Sequence, residues 1–358
     1  MMVENGKAYK IWLIFTIVLT MIILVMLASV TIYIDPLFHY HAPLDRFAYP
    51  IHNERYQNDG ITRNFEYDSI ITGTSMTENF KKTEADEIFD ADFIKVPYSG
   101  GTYKEINDNL KRAYKAAKNI RYVIRCLDYS LLNTEKDAYR EDMDYPFYLY
   151  NDNPLDDLNY VLNKEVLFTQ TGYVIDYTKA GNQTTSFDDY ANWNAGFTFG
   201  AETVLGTYTL GEKTEGSCTL TEKEYDRLIG NIRQNVTDLA DEYPETVFYY
   251  FFSPYSICYW DKLNNTGMTQ WWINAEKAAI EEILKHPNIR LYSFTGNYEL
   301  ICNLDHYKDA GHYGEWVNSW ILKWMHEGKY LLTKDNYQEY IRSIREFYSS
   351  YDYTSLRE

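Results

Sequence analysis

From Tyr67 to Phe294 the apolar positions alternate between two rhythms. Five short runs rich in β-branched and aromatic residues read as buried strands: Tyr67–Thr72, Phe93–Val96, Tyr122–Leu127, Val247–Phe252 and Ile289–Phe294. Between them, apolar residues recur at helical spacing. Thr77–Phe89 carries Phe80, Ala85, Ile88 and Phe89, with Thr77 placed to cap it. Thr102–Ala117 lines up Ile106, Leu110, Ala113 and Ala117 on one face. Thr221–Tyr243 opens with Thr221 and Glu224 at capping-box spacing. Met268–Leu284 and Glu315–His326 continue the series, and Tyr330–Tyr348 predicts a charged helical tail. Strands alternating with helices imply an α/β domain with a parallel sheet, helices on both faces and right-handed crossovers.

Three segments break the rhythm. Residues 37–66 are polar and aromatic with little periodicity and read as an irregular lead-in. Leu131–Cys218, rich in Asp, Asn, Tyr and Gly, reads as an insertion that caps the sheet and helps shape a site. Ile11–Ile34 is uncharged, rich in Ile, Leu, Val and Met, and long enough to cross a bilayer as a helix. It is longer than a cleaved signal core, and no small-residue cleavage motif follows it, so it reads as a signal anchor. Lys7 and Lys10 on its short side place residues 1–10 in the cytoplasm. The expected plan is a span over 11–34, a lead-in over 35–66, an extracytoplasmic domain over 67–328 with the 131–218 insertion, and a tail over 329–358.

The chain has 358 residues, 45% of them hydrophobic, enough for one domain with a full core. A net charge of −18 argues against a nucleic-acid partner, which needs clustered cations. It is compatible with an uncharged or cationic surface polymer. The 36 tyrosines and 8 tryptophans suit a surface that stacks on sugars, although codon bias in an AT-rich genome would give the same tyrosine enrichment. The scatter of Cys126, Cys218, Cys258 and Cys302 matches no metal motif, and no His/Asp/Glu cluster has ligand spacing, so no metal or other cofactor is expected. Cys126 and Cys258 fall in or beside strands and read as buried thiols, which leaves a Cys218–Cys302 bridge open.

Candidate chemistry lies at the ends of the first and last strands. Gly73-Thr74-Ser75-Met76 follows the first, and Asp309-Ala310-Gly311-His312 follows the last. A serine hydroxyl attacks at neutral pH only with a histidine to take its proton and a carboxylate to orient that histidine. Asp309 and His312, three apart, can meet. Asp305 and His306 are adjacent and diverge, which makes His306 the weaker candidate base. His39, His41, His52, His286 and His326 stand in no such pattern. Ser75, Gly100, Gly101, Asp128, Tyr255 and the Asp309–His312 loop all fall beyond C-terminal strand ends, where sites of open parallel sheets form.

These residues resemble the SGNH/GDSL hydrolase superfamily. Gly73-Thr74-Ser75 resembles its serine block, Gly100-Gly101 its second-block glycine, and Asp309-Ala310-Gly311-His312 its closing motif. Within it the chain is most similar to the membrane-anchored, DltD-like branch, through Ile34-Asp35-Pro36, the residues Asn53, Glu54, Arg55 and Gly60, Phe252-Ser253-Pro254-Tyr255, and Leu304–Tyr313. The 131–218 stretch is outside the resemblance. The resemblance implies a flavodoxin-like three-layer sandwich. It also implies an acyl-serine acyltransferase or esterase working on O-acyl groups of a cell-surface or exported polysaccharide, beside a membrane-bound O-acyltransferase partner. A non-catalytic, polysaccharide-binding or assembly protein of the same fold is the alternative. One departure stands out. Where many members carry Gly-x-Asn-Asp, with an asparagine donating to the oxyanion, this chain reads Cys126-Leu127-Asp128-Tyr129. The oxyanion would then rest on backbone N–H groups at Ser75 or Met76 and Gly100 or Gly101, with Asn107 or Tyr255 as possible side-chain substitutes.

Overall fold

A computed structural model describes residues 2–356 other than Ala117 and Glu215. Ala117, expected on a helix face, and the last residues of the expected tail lie outside the described residues. The chain forms two compact units, Met1–Phe65 with Pro146–Ser186, and Glu66–Tyr145 with Phe187–Glu358. Of the 131–218 stretch, Pro146–Ser186 belongs to the first unit and the remainder to the second.

In the first unit, helix α1 (Met2–Ile34) contains a segment, Lys7–Ile34, long and apolar enough to cross a membrane, and none of its most apolar window is buried. The helix stops where Pro36 would clash with its last turn. Asp35 sits at φ +49°, and its carboxylate accepts the backbone N–H groups of His39, Tyr40 and His41 at 2.9, 2.7 and 2.9 Å. The Tyr160 hydroxyl donates to the same carboxylate at 2.6 Å. The lead-in is less irregular than its pattern suggested, because α2 (Glu54–Asn64) lies within it. Its buried face carries Arg55, Gln57, Asn58, Asp59 and Thr62 rather than an apolar stripe, so hydrophobic spacing could not reveal it. Gln57 explains how such a face is tolerated. Its carbonyl accepts the N–H groups of His52 and Asn53, and its amide donates to Pro36 and Pro50.

The second unit holds the sheet, in the order β2-β1-β3-β4-β5-β6. Strands β1 (Ser69–Gly73), β2 (Phe93–Pro97), β3 (Tyr122–Leu127), β4 (Val247–Phe252) and β5 (Ile289–Ser293) are parallel. Their nearly continuous apolar runs are buried along almost their whole length, as expected for a parallel sheet covered on both faces. The order 2-1-3-4-5 reverses between β1 and β3, which makes their C-terminal ends a topological switch point. The tail differs from expectation: before its helix (Tyr337–Ser350) it contributes an antiparallel edge strand, β6 (Leu331–Leu332), against Leu291 and Tyr292. Two residues are too few to leave a periodic signature.

Two helix starts follow from local chemistry. Thr77 does not cap a helix. Its hydroxyl donates to Thr74 O at 2.8 Å within a short 3₁₀ turn, Ser75–Thr77, and α3 (Lys82–Phe89) begins later. Thr102 does cap α4 (Tyr103–Lys115), in a full capping box with Glu105. The expected long helix over Thr221–Tyr243 is interrupted by a π-turn at Arg233–Thr237. There the Asn235 carbonyl accepts the buried Arg125 guanidinium at 2.7 Å, an insertion into the helical ladder that accounts for the bulge. Helix α3 packs against Glu315–His326, while Thr269–Ile283 packs against Glu222–Ile232 and Tyr337–Ser350. All four cysteines are free, with Cys218 exposed, so there is no Cys218–Cys302 bridge.

Candidate active site

The chain leaves β1 through Gly73 at φ +147°, where a Cβ would lie 2.7 Å from Thr77 Cγ2 and 3.1 Å from Cys126 Cβ. Only glycine fits so tight an exit. The following 3₁₀ turn is closed by Thr77 N–H on Thr74 O at 2.9 Å and braced by Asn318, whose amide donates to Met76 O at 3.0 Å. Within it Thr74, Met76 and Thr77 are buried and Ser75 is half-buried, so the serine is the residue turned outward.

His312 reaches Ser75 from the loop after β5. An antiparallel bridge between Tyr307 and Tyr313 closes that loop, and Ser256 ties it down by donating its N–H and hydroxyl to Ala310 O at 3.1 and 2.7 Å. His312 Nε2 stands 2.9 Å from Ser75 Oγ. Its Nδ1 stands 2.9 Å from Asp309 Oδ2 and 3.1 Å from Oδ1. With a carboxylate against Nδ1, that nitrogen carries the proton and Nε2 is left as the acceptor for the serine. Asp309 Oδ1 also accepts the N–H groups of Gly311 and His312, each at 2.8 Å. Partial burial alone would raise the Asp309 carboxyl. The hydrogen bonds and charge of His312, with the two backbone donors, outweigh burial and hold it down at about 2.

A cavity of about 430 Å³ opens over this row, lined by Ser75, Met76, Gly100, Gly101, Asp309 and His312 together with Asp128 and Tyr255. All eight residues singled out from the sequence therefore meet in one place, and two of them also carry hydrogen bonds among themselves and the serine turn. Asp128 is only 5% exposed, and its oxygens are taken by the hydroxyls of Thr74 at 2.5 Å, Ser130 at 3.3 Å and Tyr255. Tyr255 in turn gives its hydroxyl to Asp128, so both brace the serine turn from the wall of the cavity. Burial first, then the neighbouring Asp128 charge, pushes the Tyr255 hydroxyl well up and keeps it a donor. Asn107 is buried in α4 and donates to Gln234 O at 3.0 Å, outside the cavity lining. Neither suggested substitute for the missing asparagine is free to donate. Among the glycines, Gly101 N–H is committed to Tyr98 O at 2.7 Å. Of the backbone donors expected to meet an oxyanion, this leaves the N–H groups of Ser75, Met76 and Gly100.

His306 takes no part in this row. Its Nδ1 accepts the Trp316 indole N–H at 3.1 Å, its Nε2 lies 3.2 Å from the Asn303 amide, and burial lowers its pKa. Of the other histidines, His39 and His286 do have carboxylate partners, Asp157 at 3.2 Å and Asp241 at 2.7 Å, but no serine completes either pair.

Several contributors were not legible in advance. Arg140 fixes the glycine loop, donating to Gly100 O at 2.5 Å while Asp142 holds its other nitrogens, each at 2.8 Å. Lys262 lines the cavity and lies over the Tyr208 ring at 5.5 Å. Trp193 sets its ring at right angles to His312, centroids 5.8 Å apart. Arg140 and Trp193 come from the aperiodic 131–218 stretch, where no local pattern marks them. Thr74, one residue before the serine, could have been suspected from its place alone. No protein-family model matches the chain, and no curated protein matches it in sequence.

Proposed function

We infer that the protein is a membrane-anchored, extracytoplasmic serine acyltransferase or esterase of SGNH type, acting on O-acyl groups of a cell-surface or exported polysaccharide. The observation that carries this reading is the row Ser75 Oγ–His312 Nε2–His312 Nδ1–Asp309, at 2.9 Å for each link. Ser75 Oγ attacks the acyl carbonyl while His312 Nε2 takes its proton. Asp309 stabilises the resulting imidazolium and stays ionised. The negative charge on the carbonyl oxygen meets the backbone N–H groups of the serine turn and Gly100. His312 then passes the proton to the leaving oxygen, the ester bond breaks and an acyl-Ser75 remains. An acceptor hydroxyl, giving its proton to His312, takes the acyl group and frees Ser75. Anchoring by α1 and the DltD-like resemblance favour a sugar hydroxyl over water as acceptor, with a membrane-bound O-acyltransferase as partner.

A non-catalytic protein of the same fold would be expected to leave Ser75 beyond reach of His312, and the 2.9 Å contact favours the enzyme instead. The test is intact-mass analysis of the purified full-length protein after a brief reaction with p-nitrophenyl acetate. Wild type should gain one acetyl group, mapped to Ser75, with release of nitrophenol. Absence of that adduct together with absence of turnover would sink the reading.

A further inference from the structure

A row of partly exposed rings leads away from His312. Trp193 stands beside it, and Phe199 lies nearly parallel to Trp193 at 6.4 Å. Trp316 follows at 4.9 Å from Phe199. From there Trp316, Trp320 and Trp324 repeat every four residues on the helix Glu315–His326, with His306 against the first two and Tyr330 5.5 Å beyond the last. Trp320 and Trp324 are 6.1 Å apart. All of these residues belong to the sheet-bearing unit.

The row is not the core face of that helix. Val317, Ile321, Leu322 and Met325 are buried and fill that role, while the three tryptophans are half-exposed along a neighbouring stripe. Local geometry holds the rings in place. A Cβ on Gly314 would meet the Trp316 ring at 2.4 Å, so this ring lies directly on the chain. Tyr330 adopts φ +64°, a conformation costly for a bulky side chain, and its carbonyl is anchored by Ser293 N–H at 3.2 Å. At its outer end the row borders a second cavity, of about 400 Å³, lined by Trp320, Trp324 and Tyr330 and rimmed by Asn297, Glu299 and Asn303.

We propose that this row is a binding track for an extended, uncharged polysaccharide, holding the chain whose hydroxyl or ester group is presented to Ser75. A pyranose ring shows an apolar C–H face and a rim of hydroxyls. Indole and phenol rings cover the former, and amide and carboxylate side chains bond the latter. Trp316 to Trp324 spans about 12 Å along the helix axis, longer than one sugar ring and suited to a polymer. The net charge of −18 and Glu299 on the rim disfavour a polyanion. The track deepens the acyl-transfer reading and rests on it for its direction toward Ser75, but glycan binding can be measured without chemistry.

Full-length Ser75→Ala protein in detergent is titrated calorimetrically with cellohexaose, chitohexaose, their disaccharides and hexagalacturonate. At least one neutral hexasaccharide should bind, more tightly than its disaccharide and than hexagalacturonate. Trp324→Ala and Tyr330→Gly should each weaken binding about tenfold, equivalent to ~1.4 kcal/mol. The glycine variant relieves the positive φ and so guards against misfolding, and Trp324→Phe, which keeps a ring, should restore most of the affinity. Failure of both neutral hexasaccharides to bind, preference for the galacturonate, or indifference to both ring deletions would overturn the track. Failure of acyl transfer would show in the acetyl-Ser75 experiment and not here.

Discussion

At the residue scale, the arrangement depends on where each proton sits. Asp309 is held near 2, below its ordinary 3.8, so it remains the anionic partner of His312 throughout the neutral range. The folded value lies below the unfolded one. The stabilising contribution of Asp309 is therefore complete above about pH 4 and is lost as pH falls toward 2. Acid unfolding of Asp309→Asn compared with wild type should show a difference that shrinks across that window, and a difference that grows there would contradict the assignment. The same substitution should lower the rate of acyl-enzyme formation by about 10⁴-fold at neutral pH, because an amide facing Nδ1 favours the wrong tautomer of His312. The Ser75–His312–Asp309 row was legible because the proposed nucleophile, base and orienting acid need specific side chains near strand ends. The bracing by Asp128 was not, because a carboxylate beside a serine looks the same in sequence whether or not it holds three hydroxyls.

At the element scale, the apolar runs gave all five parallel strands to within a residue or two, since a strand buried on both faces must be apolar along its length. The misses have a common cause: α2, β6 and the π-turn at Arg233–Thr237 are set by polar contacts or by pairing partners far away in sequence. Helix α2 shows this most plainly. Gly60 on it approaches the chain so closely that a Cβ would stand 2.3 Å from Leu37 O and 2.5 Å from Phe38 O. Gly60→Ala should force the two segments apart and destabilise the protein by about 1–3 kcal/mol, read by denaturant unfolding of the purified chain. A variant as stable as wild type would mean that α2 does not pack on Leu37–Phe38 in solution.

At the scale of the whole molecule, α1 supplies one segment able to cross a bilayer, and Lys7 and Lys10 lie at its N-terminal end. On the proposed topology the sheet-bearing unit faces outward, so protease added to intact spheroplasts should digest residues beyond 35 while a tag before Lys7 survives until lysis. Digestion of the tag in intact cells, with protection of the remainder, would reverse the orientation.

The central claim is that Ser75 is a nucleophile made reactive by His312, and covalent capture tests it most directly. The full-length protein is treated with a fluorophosphonate probe alongside Ser75→Ala and His312→Ala, with Cys218→Ser, at an exposed thiol outside the cavity, as a control. The account predicts labelling of wild type and Cys218→Ser, mapped to Ser75, and loss of labelling in the two site variants. Labelling that persists in Ser75→Ala, or a wild-type protein that takes up no probe, would contradict it.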